Sequence, residues 1–478
     1  MSLLWTTHDM IAAMNGRPLG DMPEGVTGIS IDSRAVAKGD AFFAIKGDNF
    51  DGHDFASAAM VAGAALIVVA ESKLPALGRL SMPMIVVQDV LKGLEMLGVA
   101  SRARSRAQII AVTGSAGKTT TKEALRHVLS EVGTVHASAA SFNNHWGVPL
   151  TLARMPQDTD YGVFEIGMNH PDEIRPLVKM VRPHIAIITI IAAAHLGHFR
   201  NLDEIALAKA EIFEGVVDDG YVVLNRDDTR YRKLELLAKD AGVKNIYSFG
   251  ENARAKFKLL KYKPLADCSC ITAKINGVEV AAKIGAPGRH IVQNALAVLG
   301  ASWLAGADLA KVAMAFGTLK AEKGRGRTHV LKVKGGSFTL IDESYNANPA
   351  SMAAALSLAG SLPIQGRGRR IAVLGDMLEL GKHSEKLHSE LAEPLSAAGI
   401  SKVFLGGNEI KVLKDLLPVE MGCEYRQSVE DLKELVAGAI RPDDIVMVKS
   451  SNSIGFSKLI DYLLKTFLPV TPALTAAE

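Results

Sequence analysis

The stretch Ala111-Val112-Thr113-Gly114-Ser115-Ala116-Gly117-Lys118-Thr119-Thr120-Thr121 constrains the fold more than any other part of this chain. A mostly apolar run, Gln108 to Val112, leads into it, and Lys122 to Ser130 leaves it with helical character. Strand, glycine-rich turn, helix is the repeating unit of a parallel α/β sheet. The glycines let backbone N–H groups approach an anion, and the helix N-terminus adds partial positive charge. Gly114, Ser115, Ala116, Gly117, Lys118, Thr119 and Thr120 are therefore candidate nucleotide-binding residues. Lys118 suits the outer phosphates and the Thr119 hydroxyl suits Mg²⁺. The common phosphate loop separates its first Gly from Gly-Lys-Thr by four residues; here only Ser115 and Ala116 intervene.

At 478 residues the chain is too long for one core, and about three domains is the natural division. A net charge of +3, with Lys and Arg spread along the chain, excludes a dedicated nucleic-acid binder. The three cysteines are Cys268, Cys270 and Cys423. Their spacing is wrong for a zinc knuckle and their odd number for a disulfide framework, so a reducing cytoplasm fits. Asp9 interrupts anything resembling a signal peptide, and the apolar stretch Ile185 to Ala194 is too short to span a bilayer. The expectation is a cytoplasmic protein without membrane insertion. No long apolar stripe asks for a partner copy, so a monomer is expected.

Alternation of strand and helix patterns gives an α/β chain of three domains. Residues 1–104 form a small N-terminal α/β unit, with strands at Gly28 to Ile31, Ala41 to Ile45 and Ala65 to Ala70 and a polar loop at Lys46 to Phe55. Residues 105–322 form a central parallel-sheet domain carrying the phosphate loop, with strands at Tyr161 to Glu165, Ile185 to Ile191 and Tyr221 to Leu224. Residues 323–478 form a smaller, doubly wound Rossmann-like unit with strands at Thr339 to Asp342, Arg370 to Leu374, Lys402 to Leu405 and Ile445 to Val448. Ser101 to Arg106 and Glu322 to Arg327 read as linkers.

Four further residues bear on chemistry. Glu165 ends a strand, where a carboxylate suits a hard cation or the N-terminus of the next helix. His195 closes an apolar run, as a ligand or as a hydrogen-bonded core residue. Lys209 and Glu211 lie in Asn201 to Phe213, an amphipathic helix, and by pattern alone are solvated surface charges.

A series of motifs changes their weight. After the phosphate loop come Asn143-Asn144-His145-Trp146-Gly147-Val148-Pro149, Glu165-Ile166-Gly167-Met168-Asn169-His170, Ala194-His195-Leu196 and Ala208-Lys209-Ala210-Glu211-Ile212-Phe213. Gly288-Arg289-His290 with Gln293-Asn294 follows, then Asp342-Glu343-Ser344-Tyr345-Asn346-Ala347-Asn348-Pro349 and Leu374-Gly375-Asp376-Met377-Leu378-Glu379-Leu380-Gly381. Together with Asp32-Ser33-Arg34 and the Gly47 to Phe55 loop, these segments resemble the Mur ligases, the amide-bond-forming enzymes of peptidoglycan precursor synthesis. The resemblance covers all three domains, and the last two motifs resemble those of the member that adds D-alanyl-D-alanine.

The resemblance implies ATP-driven ligation of D-Ala-D-Ala to UDP-MurNAc-tripeptide through an acyl phosphate, with domain closure over the substrates. It implies two Mg²⁺ ions held by Thr119, Glu165, His195 and a Lys209 carbamylated by CO₂. His290 and Asn294 would face adenine and Asp342 the ribose. An Arg of Gly324 to Arg327 would reach the γ-phosphate; residue count favours Arg327, with Arg325 the alternative. Lys118, Lys209, His195 and Arg327 would be catalytic. Asp32, Ser33, Arg34 and Asn49 would hold the uridine diphosphate end, and Asn143, Asn144, Tyr345, Asn346 and Asn348 the rest of the substrates. Two positions depart from the family pattern: Ile190 stands where Asn is usual, and Lys449-Ser450-Ser451-Asn452 replaces Lys-Gly-Ser-Arg.

Overall fold

The computed structural model describes residues 2–77, 81–139, 141–265 and 267–470. Three main sheets account for the chain. The first orders its strands Arg17–Leu19, Met84–Val87, Leu66–Ala70, Asp40–Phe43 and Gly28–Ser30, all parallel except the first. Phe43, Leu66 and Val68 pack on one face and Phe42, Ile67 and Val69 on the other. Burial on both faces is why these strands read as continuous apolar runs.

Ser101 to Arg106 is not a linker. The helix Val90–Arg104, capped by the Asp89 side chain accepting from Lys92 N at 2.8 Å, runs through most of it. Arg102 is buried and donates to the carbonyls of Val181 and Arg182 at 2.9 Å. The Arg104 guanidinium lies 3.3 Å from the centre of the Trp5 ring, and Trp5 Nε1 donates to Ala153 O at 2.8 Å. The basic residues cap a neighbouring helix and cover an aromatic face, fastening the first sheet's layer to the second's.

The central sheet has nine strands in the order Val135–Ala137, Tyr161–Glu165, Gln108–Thr113, Ile185–Ile188, Tyr221–Asn225, Asn245–Gly250, Phe257–Pro264, Ser269–Ile275 and Val278–Ile284. Its strands are parallel up to Phe257–Pro264, after which the last two turn back as an antiparallel meander. The sequence reading extended the parallel pattern too far. The Ser269–Ile275 strand alternates buried and part-exposed residues, and Asn276-Gly277, both with positive φ (44° and 98°), make its hairpin turn.

The third sheet orders Arg327–Val333, Gly336–Glu343, Ile445–Lys449, Arg370–Gly375, Lys402–Gly406 and Cys423–Arg426, antiparallel only at the first pair. Residues 471–478 lie outside the described residues. In the central sheet Glu165 sits beside Val112 and Ile188 beside Thr113; in the third, Glu343 sits beside Lys449. The carboxyl edges of these two sheets approach each other, and the cleft lies between them.

Candidate active site

The phosphate loop is held open by its surroundings. Gly117 (φ 80°) precedes the helix Lys118–Leu129, whose first N–H groups are unpaired within the helix. Gly114 has φ 148°, and a Cβ there would fall 1.9 Å from Thr189 Oγ1, so only glycine fits. The segment after Ile185–Ile188 clamps the loop from outside. Ser115 N donates to Ile190 O at 2.8 Å, Ala192 N to Ser115 Oγ at 3.0 Å, and Thr189 Oγ1 to Ala116 O at 2.5 Å. Ile190 acts here through its carbonyl, so the departure at that position leaves the clamp intact. Lys118 Nζ donates to Gly114 O at 2.9 Å. Burial pushes the Lys118 ammonium down, opposed by nearby Glu165 and reinforced by Arg325.

Behind the loop lies an underused carboxylate. Glu165 is 1% exposed; its Oε1 accepts from Asn143 Nδ2 at 2.7 Å, while its buried Oε2 has no hydrogen-bond partner among the described residues. Thr119 lines the same cleft. Lys209 overturns the pattern reading. In the helix Leu202–Ala210, Leu207 is 45% exposed while Lys209 is 1% exposed. Lys209 follows Ile205 by four residues and precedes Ile212 by three, which puts it on the inward face. It makes no ion pair or side-chain hydrogen bond among the described residues. Burial holds its amine well below the ordinary lysine value, and the Lys118 charge adds to that. Glu211 is also buried, accepting from Asp172 N and Arg175 N at 2.7 and 3.0 Å. Thr119, Glu165 with its orphaned oxygen, and His195 line one cleft, oxygen and imidazole donors of the kind that suit a hard divalent cation, whereas Lys209 is buried outside that lining.

The third sheet supplies the opposite wall. Tyr345 Oη hydrogen-bonds Ser141 Oγ at 2.7 Å, and Asn348 Nδ2 donates to Ser115 O at 3.2 Å. Asn348 Oδ1 also caps the helix Pro349–Ser361, so one side chain fixes its own helix and touches the phosphate loop. Lys449 Nζ donates to Glu343 Oε2 and Asn346 O, both at 3.0 Å. His195 Nδ1 is hydrogen-bonded to the Glu379 carboxylate, which this contact holds below the usual carboxylate range against the opposing effect of burial. The cleft measures about 440 Å³.

Models of three parts of one family match this chain in order: the Mur ligase family catalytic domain over residues 25–104, the Mur ligase middle domain over 112–302 and the Mur ligase glutamate ligase domain over 326–452. The chain belongs to the Mur ligase family. It is 35% identical to the UDP-N-acetylmuramoyl-tripeptide–D-alanyl-D-alanine ligase of Rickettsia prowazekii, over 91% of this chain and 94% of that protein. Identity to the ligase of the same name from Escherichia coli is 32%, over 90% and 92%. The solved structure of MurF from Acinetobacter baumannii superposes with a TM-score of 0.83 at 28% identity, covering 96% of this chain and 99% of that one.

In this Mur ligase the cleft gathers Ser115 to Thr120, Asn143, Glu165 and His195 from the central sheet with Tyr345, Asn346 and Asn348 from the third. His290 and Asn294, one turn apart on the helix Arg289–Leu304, line the same cleft. Burial lowers the His290 imidazole, and the position of a Gly117 Cβ would be 2.8 Å from Asn294 Oδ1.

Four groups of expected site residues lie elsewhere than the cleft. Arg327 is exposed at the start of its strand and lines a separate cavity of about 620 Å³ on the other side of the linker. Arg325 faces the cleft instead, with its guanidinium 3.9 Å from the Tyr345 ring centre. Gly326, at φ 92°, turns the chain between the two arginines, which residue counting could not show. Asp342 is fully buried and does not reach the cleft; its oxygens accept from Gly324 N at 2.8 Å, Ser344 N at 3.2 Å and Ser344 Oγ at 2.6 Å. Asn144 accepts from Gly147 N at 2.9 Å, at the start of the helix Gly147–Ala153, and does not line the cleft. Asp32 and Arg34 pair with each other at 2.7 Å, and they, Ser33 and the exposed Asn49 lie outside the cleft.

Sequence reasoning did not name Asn225, and it quoted Gln293, Lys449 and Glu379 within motifs without giving them a role in the site. Asn225 ends a strand and donates to Thr189 O at 3.1 Å. A polar residue ending a buried strand was the available signal for it, as it had been for Glu165.

Proposed function

We propose that this Mur ligase joins D-alanyl-D-alanine to UDP-N-acetylmuramoyl-tripeptide at the expense of ATP, forming UDP-N-acetylmuramoyl-pentapeptide, ADP and phosphate in peptidoglycan precursor synthesis. The observation that carries this reading is the single cleft in which the phosphate loop meets Tyr345, Asn346, Asn348 and Lys449. The relatives named for the same reaction match over more than nine-tenths of their length.

In this reading the loop N–H groups and Lys118 cradle the phosphates, and Lys118 leaves Gly114 O to do so. Arg325 approaches the γ-phosphate from the linker. His290 and Asn294 border the adenine. Two Mg²⁺ ions, held through Thr119, Glu165, His195 and a carbamate on Lys209, supply charge neutralisation when bound. The neutral amine of Lys209 is the form that attacks CO₂; as the N–C bond forms it gives up one proton to solvent, and a neutral amine becomes an anionic oxygen donor. The tripeptide carboxylate attacks the γ-phosphorus, ADP leaves, and the dipeptide amine then displaces phosphate from the acyl carbon. Positioning and charge stabilisation carry most of such a reaction.

Residues 1–104, 105–322 and 323–478 serve as the UDP-binding, ATP-binding and dipeptide-side domains. Asp32, Ser33, Arg34 and Asn49 of the first await the UDP end outside the present cleft. Among the described residues no helix is long and apolar enough to cross a membrane, and we place the enzyme in the cytoplasm as a monomer. Phosphate release measured with each substrate omitted tests the function. Release should require both tripeptide and dipeptide; constitutive or absent release refutes it.

A further inference from the structure

Glu379 belongs to the third sheet's layer, yet its carboxylate holds a side chain of the central domain, His195. The contact is built on both sides. Glu379 (φ 63°) and His195 (φ 57°) both occupy the left-handed region, an uncommon conformation for side chains of their size. The residues before Glu379 are pinned: Met377 N donates to the buried His388 Nε2 and Leu378 N to Ser451 Oγ, each at 2.9 Å. Gly197 N donates to Glu379 O at 2.8 Å, and a Cβ at Gly197 would sit 3.1 Å from that oxygen and from Gly381 N. The chain approaches this closely because Gly197 and Gly381 lack side chains.

An imidazole that binds a metal through one nitrogen needs its other N–H held, and a carboxylate in that place fixes the tautomer and raises the basicity of the ligating nitrogen. Glu379 engages Nδ1 of His195, a residue that lines the cleft, so Nε2 is the nitrogen left for a ligand. We propose that Glu379 is a positioning residue that fixes His195 with its proton on Nδ1 and its Nε2 turned to a divalent cation, so that this ion's site is completed only when the third domain closes on the central one. The assignment rests on His195 being a ligand. It makes domain closure and affinity for that ion two sides of one equilibrium: whatever closes the domains tightens the ion, and the ion favours closure by the same factor.

The test uses the full chain with Mn²⁺ as the spectroscopic probe, a non-hydrolysable ATP analogue and UDP-MurNAc-tripeptide. Mn²⁺ binding is followed by electron paramagnetic resonance and compaction by solution scattering. The wild type should bind two ions, and His195→Ala one. Glu379→Ala should keep two sites with one weakened by about 10–100-fold. Glu379→Gln, whose amide oxygen still accepts from Nδ1–H without the charge, should fall between and guards against a folding defect. Without the tripeptide the affinities of wild type and Glu379→Ala should converge. If His195→Ala still binds two ions, the ligand reading itself fails. If His195→Ala loses an ion while Glu379→Ala binds both with wild-type affinity, the ligand reading stands and the positioning role is overturned, even if scattering shows looser closure.

Discussion

Lys209→Met separates the packing of the buried lysine from its chemistry. The native side chain is 1% exposed, and no carboxylate pairs with it among the described residues. Methionine keeps the unbranched stem and nearly the volume while removing the amine. Taking a buried amine that has no ion pair among the described residues out of the interior recovers about 1–3 kcal/mol. In CO₂-free buffer the variant should therefore be more stable than the wild type by about that amount. The pH dependence has a definite sign. Burial sets the folded-state pKa of Lys209 well below its unfolded value, so the unfolded chain binds more protons between the two. Wild-type stability from this group is thus lost as pH falls through the folded pKa, and it rises with pH up to about 10.4. The variant lacks that slope. Bicarbonate should stabilise the wild type by trapping the folded form as the carbamate and leave the variant unmoved. Urea denaturation with and without bicarbonate at several pH values reads all three effects, and phosphate release should vanish in the variant. A variant less stable than the wild type by more than about 1 kcal/mol, with no bicarbonate effect on the wild type, would refute the reasoning, since one unsatisfied polar group sets the scale.

Arg325→Ala should lower kcat by about 10²–10³-fold, the usual loss for one transition-state charge donor, while Arg327→Ala stays near wild type; steady-state kinetics of the pair decide between them. Gly114→Ala forces a Cβ to within 1.9 Å of Thr189 Oγ1 and should abolish binding of a fluorescent ATP analogue. Tyr345→Phe removes the hydroxyl that bonds Ser141 across the cleft. It should weaken closure by about 0.5–1.5 kcal/mol, seen in scattering as a smaller compaction with ATP analogue and tripeptide.

The sheets were legible because buried parallel strands announce themselves as short apolar runs, as at Tyr161–Glu165 and Ile445–Lys449. The antiparallel meander from Phe257 to Ile284 was not, because its half-solvated strands follow a different pattern. The basic run at Ser101 to Arg106 looked like a solvated tether, but its arginines spend their charge on helix-end carbonyls and an indole face. In the site, the phosphate loop could be read from its local context of apolar strand, glycine turn and helix. Lys209 could not, because a helix that exposes Leu207 and buries a lysine inverts the usual amphipathic rule. Which of Arg325 and Arg327 faces the cleft turned on the backbone of Gly326. The contact between Glu379 and His195, 184 residues apart, exists only through the meeting of two domains.

The central claim is that the γ-phosphate passes onto the tripeptide carboxylate before the amide forms. Tripeptide labelled with ¹⁸O in that carboxylate, turned over with ATP and D-alanyl-D-alanine, tests it by mass spectrometry of the released phosphate. Transfer through an acyl phosphate leaves one carboxylate oxygen in every phosphate released. Phosphate free of label, formed alongside pentapeptide, would contradict the account.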